Sequence, residues 1–164
     1  MANDTVVDTG ALISWPISKL IGSIASPKQK KELGKFYPER LEIINAIDII
    51  WRTPKLESIN NVINIGKNTG DIAGLSPVDI ELLALAFENN YVLFTDDYRM
   101  QNLAEFIGIK WYVIETEGIK EVWSWEIVCK GCKKIQPDPK SPLMRKNLGD
   151  CRDCGSEVKL RRKK

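Results

Sequence analysis

Between residues 4 and 115, short apolar runs of strand length alternate with longer tracts whose apolar positions recur at helical spacing. Residues 4–9 (DTVVDT) predict a short buried strand closing on Asp8, followed by a helix from about 10 to 22 interrupted near Pro16. Ser26 as N-cap with Pro27 at the first helical position predicts a helix over 26–36. The β-branched stretch EIINAIDII (42–50) suits a second strand. After Pro54, KLESINNVINIGK places Leu56, Ile59, Val62, Ile63 and Ile65 on a helix that Asn68-Thr69-Gly70 closes. The clearest helix start follows, with Ser76 as cap, Pro77 in the first turn, Asp79 at the third position and IELLALAF as apolar body. YVLFT (91–95) reads as a buried strand ending at Asp96-Asp97, DYRMQNLAEFIG as a helix and WYVIE (111–115) as a further strand.

Strands that alternate with helices imply a parallel sheet with crossover connections, hence an α/β domain with helices flanking the sheet. The pattern ends near 116–127, which divides the chain into a domain over 1–118, a linker over 119–126 and a small cysteine-bearing module over 127–164. Hydrophobic and charged fractions of 43% and 28% are those of a globular protein, and no apolar run approaches the roughly 18 residues of a membrane span. The N-terminus has neither a basic nor an apolar signal region, so a cytoplasmic protein is expected.

The net charge of +2 conceals a division. Residues 129–164 carry 12 Lys/Arg against 4 Asp/Glu, whereas residues 1–128 carry 12 against 18. An acidic body with a basic end suggests cation binding in the first and polyanion binding at the second. The chain has no histidine, which removes Ser-His-Asp triads, imidazole acid–base schemes and His-ligated metals.

All four cysteines lie in the basic end. Cys129-x-x-Cys132 and Cys151-x-x-Cys154, separated by 18 residues, have the spacing of a four-cysteine zinc site. Two tight turns then complete a closed tetrahedral shell, so the Zn²⁺ expected here is structural. A redox dithiol pair is the alternative. Lys130, Lys133, Lys134, Lys140, Arg145, Lys146 and Arg152, with the tail from Lys159 to Lys164, could neutralise phosphates or simply be solvated. Trp123 and Trp125 could stack on unpaired bases, but packing between the two parts is the more usual employment of such aromatics.

In an open parallel sheet, chemistry collects at the carboxyl ends of the strands. Asp8, Asp96 and Asp97 stand at two such ends, and Asp79 opens a helix beside the same edge. Converging carboxylates repel unless a divalent cation neutralises them, and hard oxygen ligands suit Mg²⁺ or Mn²⁺. Such a cation can activate water and stabilise the leaving oxygen of a phosphodiester. Taken singly, each acid has another reading. Asp79 could stabilise a helix N-terminus, Asp8 a turn, Asp96-Asp97 a cap, and Glu32 could be a solvated residue of a lysine-rich helix.

The motifs VVDTGALI, LSPVDIELLALA and VLFTDDYRMQNLA resemble those of PIN-domain nucleases. More narrowly, TGDIAGLSPVDIELLALAF followed by the cysteine ribbon resembles the Nob-type endonucleases that mature the 3′ end of small-subunit rRNA, in their compact archaeal form. The resemblance implies a PIN-like fold with a C-terminal β zinc ribbon, and Mg²⁺- or Mn²⁺-dependent hydrolysis of RNA to 5′-phosphate and 3′-hydroxyl products. It matches Asp8 to the first acid, Asp79 to the third and Asp97 to the fourth, with Asp8, Asp79 and Asp97 as metal ligands and Asp96 as a neighbouring helper. Glu32 is preferred to Glu39 or Glu42 as the second acid, by its distance after Asp8 and its place on a helix. The implied partners are precursor small-subunit rRNA, the pre-small ribosomal subunit and assembly-factor proteins. A toxin-type PIN ribonuclease acting on tRNA or mRNA, and a non-catalytic RNA- or protein-binding scaffold, remain alternatives.

Overall fold

The computed structural model describes residues 4–115, 118, 124–137 and 148–163. Five strands, β1 (Thr5–Val7), β2 (Ile24–Ala25), β3 (Ile50–Trp51), β4 (Val92–Phe94) and β5 (Trp111–Tyr112), form a sheet in the order β3-β2-β1-β4-β5 with every pairing parallel. The chain builds outward from β1 to β3, then returns on the other side of β1 to lay down β4 and β5. The direction of winding therefore reverses between β1 and β4, and the carboxyl ends of those two strands border the crevice where such sheets bind ligands.

Alternation along β1 sends successive side chains into two cores. Val6, with Ile24 and Leu93, packs among α5 (Leu56–Thr69), α6 (Pro77–Asn89) and α7 (Tyr98–Ile107). Val7, with Ala25 and Phe94, packs among α1 (Thr9–Ser14), α2 (Ile17–Leu20), α3 (Pro27–Phe36) and α4 (Pro38–Asn45). Helices thus cover both faces. α6 is buried continuously from Val78 to Ala86, which explains why its sequence is apolar all round rather than striped. It lies against α5 and beneath β1 and β4.

One expectation needs correction. The tract 42–50 is not the second strand: residues 42–45 complete α4, and just Ile50 joins the sheet, as part of β3. Pro38 starts that helix at its first turn, and Leu41 and Ile44, three residues apart, turn inward together, so core contact overrides β propensity. The second strand is instead Ile24–Ala25, two buried residues too short to show a period. The interruption near Pro16 is present and splits α1 from α2.

Beyond the parallel sheet, β6 (Trp125–Cys129), β7 (Ile135–Gln136) and β8 (Val158–Arg162) form a small antiparallel sheet in the order β7-β6-β8. Its apolar face, Ile127, Cys129, Cys151 and Val158, gathers around Ala73 of a 3-10 turn over Asp71–Gly74 in the larger unit. Gly70, at φ +78°, passes so close to the backbone of Trp125 that a Cβ there would strike its carbonyl oxygen. Among the described residues, no helix is long and apolar enough to cross a membrane.

Candidate functional site

Asp8 follows β1 directly and caps α1. Its Oδ1 accepts from the Thr9 amide at 2.6 Å, and its Oδ2 accepts from the Thr95 hydroxyl, at the end of β4, at 2.7 Å. The Asp8 amide donates to the Phe94 carbonyl at 3.0 Å, so the two strand ends are tied by backbone as well. Thr95 is fully buried, and its hydroxyl also accepts from the Asp97 amide at 3.0 Å. Asp97 caps α7 by accepting from the Arg99 amide at 2.8 Å. Asp79 sits in a reciprocal capping box: its Oδ2 accepts from the Ser76 amide at 2.7 Å while its own amide donates to Ser76 Oγ at 3.2 Å.

These three acids share one electrostatic environment. Burial pushes the Asp8 carboxyl up to about 6; the hydrogen bonds from Thr95 and Thr9 oppose that rise, and the nearby charges of Asp79 and Asp97 add to it. A buried acid with two further carboxylates near enough to repel it is a site short of positive charge, and carboxylate oxygens are the donors that hard divalent cations take. The donor chemistry fits such an ion.

Glu32 reaches the same region from α3, where its Oε2 accepts from the Thr9 hydroxyl at 3.0 Å. Asp96 is differently engaged. Its carboxylate accepts from the amides of Ile114 (2.8 Å) and Glu115 (3.0 Å), just past β5.

Three further polar residues at the crevice were not singled out by sequence. Gln29, fully buried, donates to the Val7 carbonyl at 3.1 Å and to Thr9 Oγ1 at 3.2 Å, and so locks α3 to the end of β1. Glu81, 4% exposed, accepts from Ser26 and pairs with Lys28 at 2.7 Å, joining α6 to α3. Asp71, fully buried, accepts from Thr69 (2.6 Å) and Asn102 (2.7 Å), and burial pushes its carboxyl to about 6 despite those bonds and the Arg99 charge. Sequence signalled Asp71 just through the TGD tract; Gln29 and Glu81 look like ordinary helix residues until the helices are packed.

The four cysteines form a second centre. Among the described residues they are the set of three or more candidate ligands whose ligand atoms all lie within 4.8 Å of one another; the carboxylates stand wider. Cys129 and Cys154 Sγ are 3.4 Å apart, and Cys132 and Cys151 Sγ 3.7 Å. Thiolates on a tetrahedral zinc, each ~2.3 Å from it, stand about 3.8 Å apart, so these spacings match metal ligation and not disulfides. Amides of Gly131 and Cys132 donate to Cys129 Sγ at 3.2 and 3.3 Å, and the Asp153 amide to Cys151 Sγ at 3.4 Å, which favours the charged sulfurs.

Part of the basic surface around this centre is paired internally. Lys130 pairs with Glu157, Lys134 with Asp153 at 3.7 Å, and Lys133 donates to the Lys130 carbonyl. Arg152 is exposed. Lys140, Arg145, Lys146, Lys164 and Trp123 lie outside the described residues.

Comparison with known proteins agrees with this geometry. The family model described as "PIN domain of ribonuclease" matches residues 5–88. The chain is 42% identical over 108 residues to endoribonuclease Nob1 of Pyrococcus abyssi, covering 65% of this chain and 62% of that protein. It is 36% identical over 142 residues to endoribonuclease Nob1 of Methanocaldococcus jannaschii, covering 78% and 68%. Against ribonuclease VapC1 of Thermoplasma acidophilum it is 30% identical over 159 residues, covering 94% and 76%, an alignment long enough to include the cysteine sheet. A parallel sheet whose switch point gathers Asp8, Asp79 and Asp97, read together with these matches, shows that the chain belongs to the PIN-domain ribonuclease family.

Proposed function

We propose that the protein is a divalent-metal-dependent endoribonuclease that cleaves precursor small-subunit rRNA at its 3′ end. The observation that carries the reading is the union, at one crevice, of Asp8, Asp79 and Asp97 through the Thr95 hydroxyl and mutual charge. The matches to archaeal proteins named Nob1, at 36–42% identity, support the choice of substrate.

Asp8, Asp79 and Asp97 would hold Mg²⁺ or Mn²⁺, which when bound supplies the positive charge that lowers the cost of ionising water and steadies the departing oxygen. The residues do the rest. Thr95 fixes one oxygen of Asp8 while its hydroxyl anchors the Asp97 amide, so both acids are held from a single buried group. Glu32, which accepts from the hydroxyl of Thr9 next to Asp8, completes the acid set. Water adds to phosphorus, the bond to the 3′ oxygen breaks, and that oxygen takes a proton, leaving a 5′-phosphate and a 3′-hydroxyl. Zn²⁺ in the four-cysteine shell is structural, and the ribbon's basic residues, Lys130, Lys133, Lys134, Arg145, Lys146 and Arg152 among them, grip structured rRNA within the precursor subunit. Such an enzyme would work in the cytoplasm, with residues 1–118 as catalytic domain and 127–164 as ribbon.

Asp8→Asn is expected to abolish cleavage of a precursor small-subunit rRNA 3′-end substrate in Mg²⁺ or Mn²⁺ while RNA affinity changes less than about twofold. Undiminished cleavage by this variant would falsify the assignment of the acid centre. A cut-site map on precursor rRNA, with tRNA and mRNA as competitors, separates the rRNA enzyme from a toxin-type ribonuclease.

A further inference from the structure

Two recesses border the acids, and hydrogen bonds through Thr9, Asp8 and Thr95 link a wall residue of one to a wall residue of the other. The first, about 500 Å³, is walled by Lys28, Lys31, Glu32, Lys35 and Phe36 of α3 and by the start of α6 at Ser76–Val78. The second, about 330 Å³, is walled by Asp96, Asp97, Tyr98, Arg99 and Trp125. Glu32, on the wall of the first, accepts from Thr9; the Thr9 amide donates to Asp8; Thr95 donates to Asp8 and accepts from the amide of Asp97, on the wall of the second. Each recess therefore has on its wall a residue bonded into the same acid centre, Glu32 in the first and Asp97 in the second.

The chemistry of the two ends differs. On α3, Lys28, Lys31 and Lys35 are spaced to share one helix face with Glu32; Lys31 and Lys35 are exposed, whereas Lys28 is paired with Glu81. Phe36, 66% exposed, presents an aromatic ring beside them. At the other end Tyr98 is 50% exposed, and the Arg99 guanidinium lies 5.6 Å over the Trp125 ring. Gly74 makes room for that guanidinium, since a Cβ there would collide with it. Arg99 Nε is buried without a hydrogen-bond partner. Cationic groups beside one flank and aromatic faces with a cation beside the other are the two elements by which proteins hold unpaired strands.

We propose that these recesses are the two ends of a track for single-stranded RNA across the acid centre. Lys31 and Lys35 hold backbone phosphates on one side, and a base enters the Tyr98–Trp125 recess on the other, with Arg99 at its floor. The strand's phosphodiester then crosses Asp8 between two fixed points. The proposal rests on the ribonuclease reading for the purpose of the track. It also gives Trp125, which belongs to the small sheet, a role in the substrate path of the larger one.

The test uses the full metal-loaded chain in the Asp8→Asn background and a short single-stranded oligoribonucleotide carrying a fluorophore and one 2-aminopurine. Lys31→Ala with Lys35→Ala is expected to weaken binding about tenfold and to lower the slope of log affinity against log salt by about 1.4, the contribution of two phosphate contacts to a single strand. Tyr98→Ala, and separately Trp125→Leu, are expected to weaken binding about tenfold, to abolish the stacking quench of 2-aminopurine, and to leave the salt slope unchanged. Unchanged slope in the lysine pair together with unchanged quench in Tyr98→Ala would overturn the track, as would equal affinity for a duplex of the same length. If instead these variants respond as expected but the wild-type chain cuts no RNA in Mn²⁺, the track stands as a binding groove and the nuclease reading falls alone.

Discussion

Asp8 combines a structural role with a perturbed carboxyl. As an N-cap it accepts from Thr9, and that employment alone would justify an acid at a strand–helix junction. Its elevated pKa, about 6 against 3.8, means that folding favours the neutral carboxyl relative to the unfolded chain. For an acid raised in this way, the folded state holds its full stability below about pH 4 and loses it as pH climbs through 6. Asp8→Asn, which can still cap, is therefore expected to stabilise the metal-free protein at pH 7.5 by up to about 3 kcal/mol, from roughly two pKa units. Urea denaturation at two pH values checks it, since the advantage should vanish near pH 4. The same shift predicts that Mn²⁺ binding weakens as pH falls through 6 and releases protons there, measurable by calorimetry in buffers of different ionisation heat.

At the scale of elements, the acid centre is a meeting of helix starts. α1, α6 and α7 each begin with an acid at or near the cap: Asp8, Asp79 and Asp97. Each of the three does take part in capping its helix, and capping does not exclude the ligand role proposed for it. Capping fixes each backbone, and the sheet aims the helix starts at one place. Ser76 is the sharpest test, because it orients Asp79 through both bonds of the capping box. Ser76→Ala is expected to cost about 1 kcal/mol of stability, and to lower the cleavage rate further than that loss explains while KM for RNA stays near wild type. Steady-state kinetics alongside denaturation separate the two effects. α4 gives the opposite lesson, since a β-branched tract became helix where a proline start and two inward apolar residues outweighed local preference.

For the whole molecule, the small sheet is docked and not merely attached. Ala73 fits into its apolar face, Gly70 runs against Trp125, and Arg99 lies over the Trp125 ring. Gly70→Ala should uncouple the two units twice over: the left-handed backbone penalises any side chain by roughly 1–2 kcal/mol, and its Cβ has no space beside the Trp125 carbonyl. Hydrogen exchange is expected to show faster exchange at the 3-10 turn and along β6, with β1 and β4 unaffected. Removal of the cysteine-bound metal with a zinc-selective chelator should go further, exposing amides of β6 and β8 while the parallel sheet keeps its protection. Loss of protection in both sheets together would mean that they fold as a single unit.

Three features were legible along the chain: the cysteine pairs, the capped helices over 26–36 and from Ser76, and the strand ends that carry Asp8 and Asp97. They were legible because their causes are local, in ligand spacing, cap chemistry and apolar runs bounded by turns. The two-residue strands β2 and β3 were not, because so short a run has no period and exists by pairing with neighbours far along the chain. Nor could any local pattern mark Thr95 as the pin between two acids, or Gln29, Glu81 and Asp71 as buried polar groups. Those assignments arise when α3, α6 and α7 pack around the switch point, a consequence of contacts between residues up to 87 positions apart. Tertiary structure alone decided that the acids meet and that a tryptophan of the small sheet stands beside them.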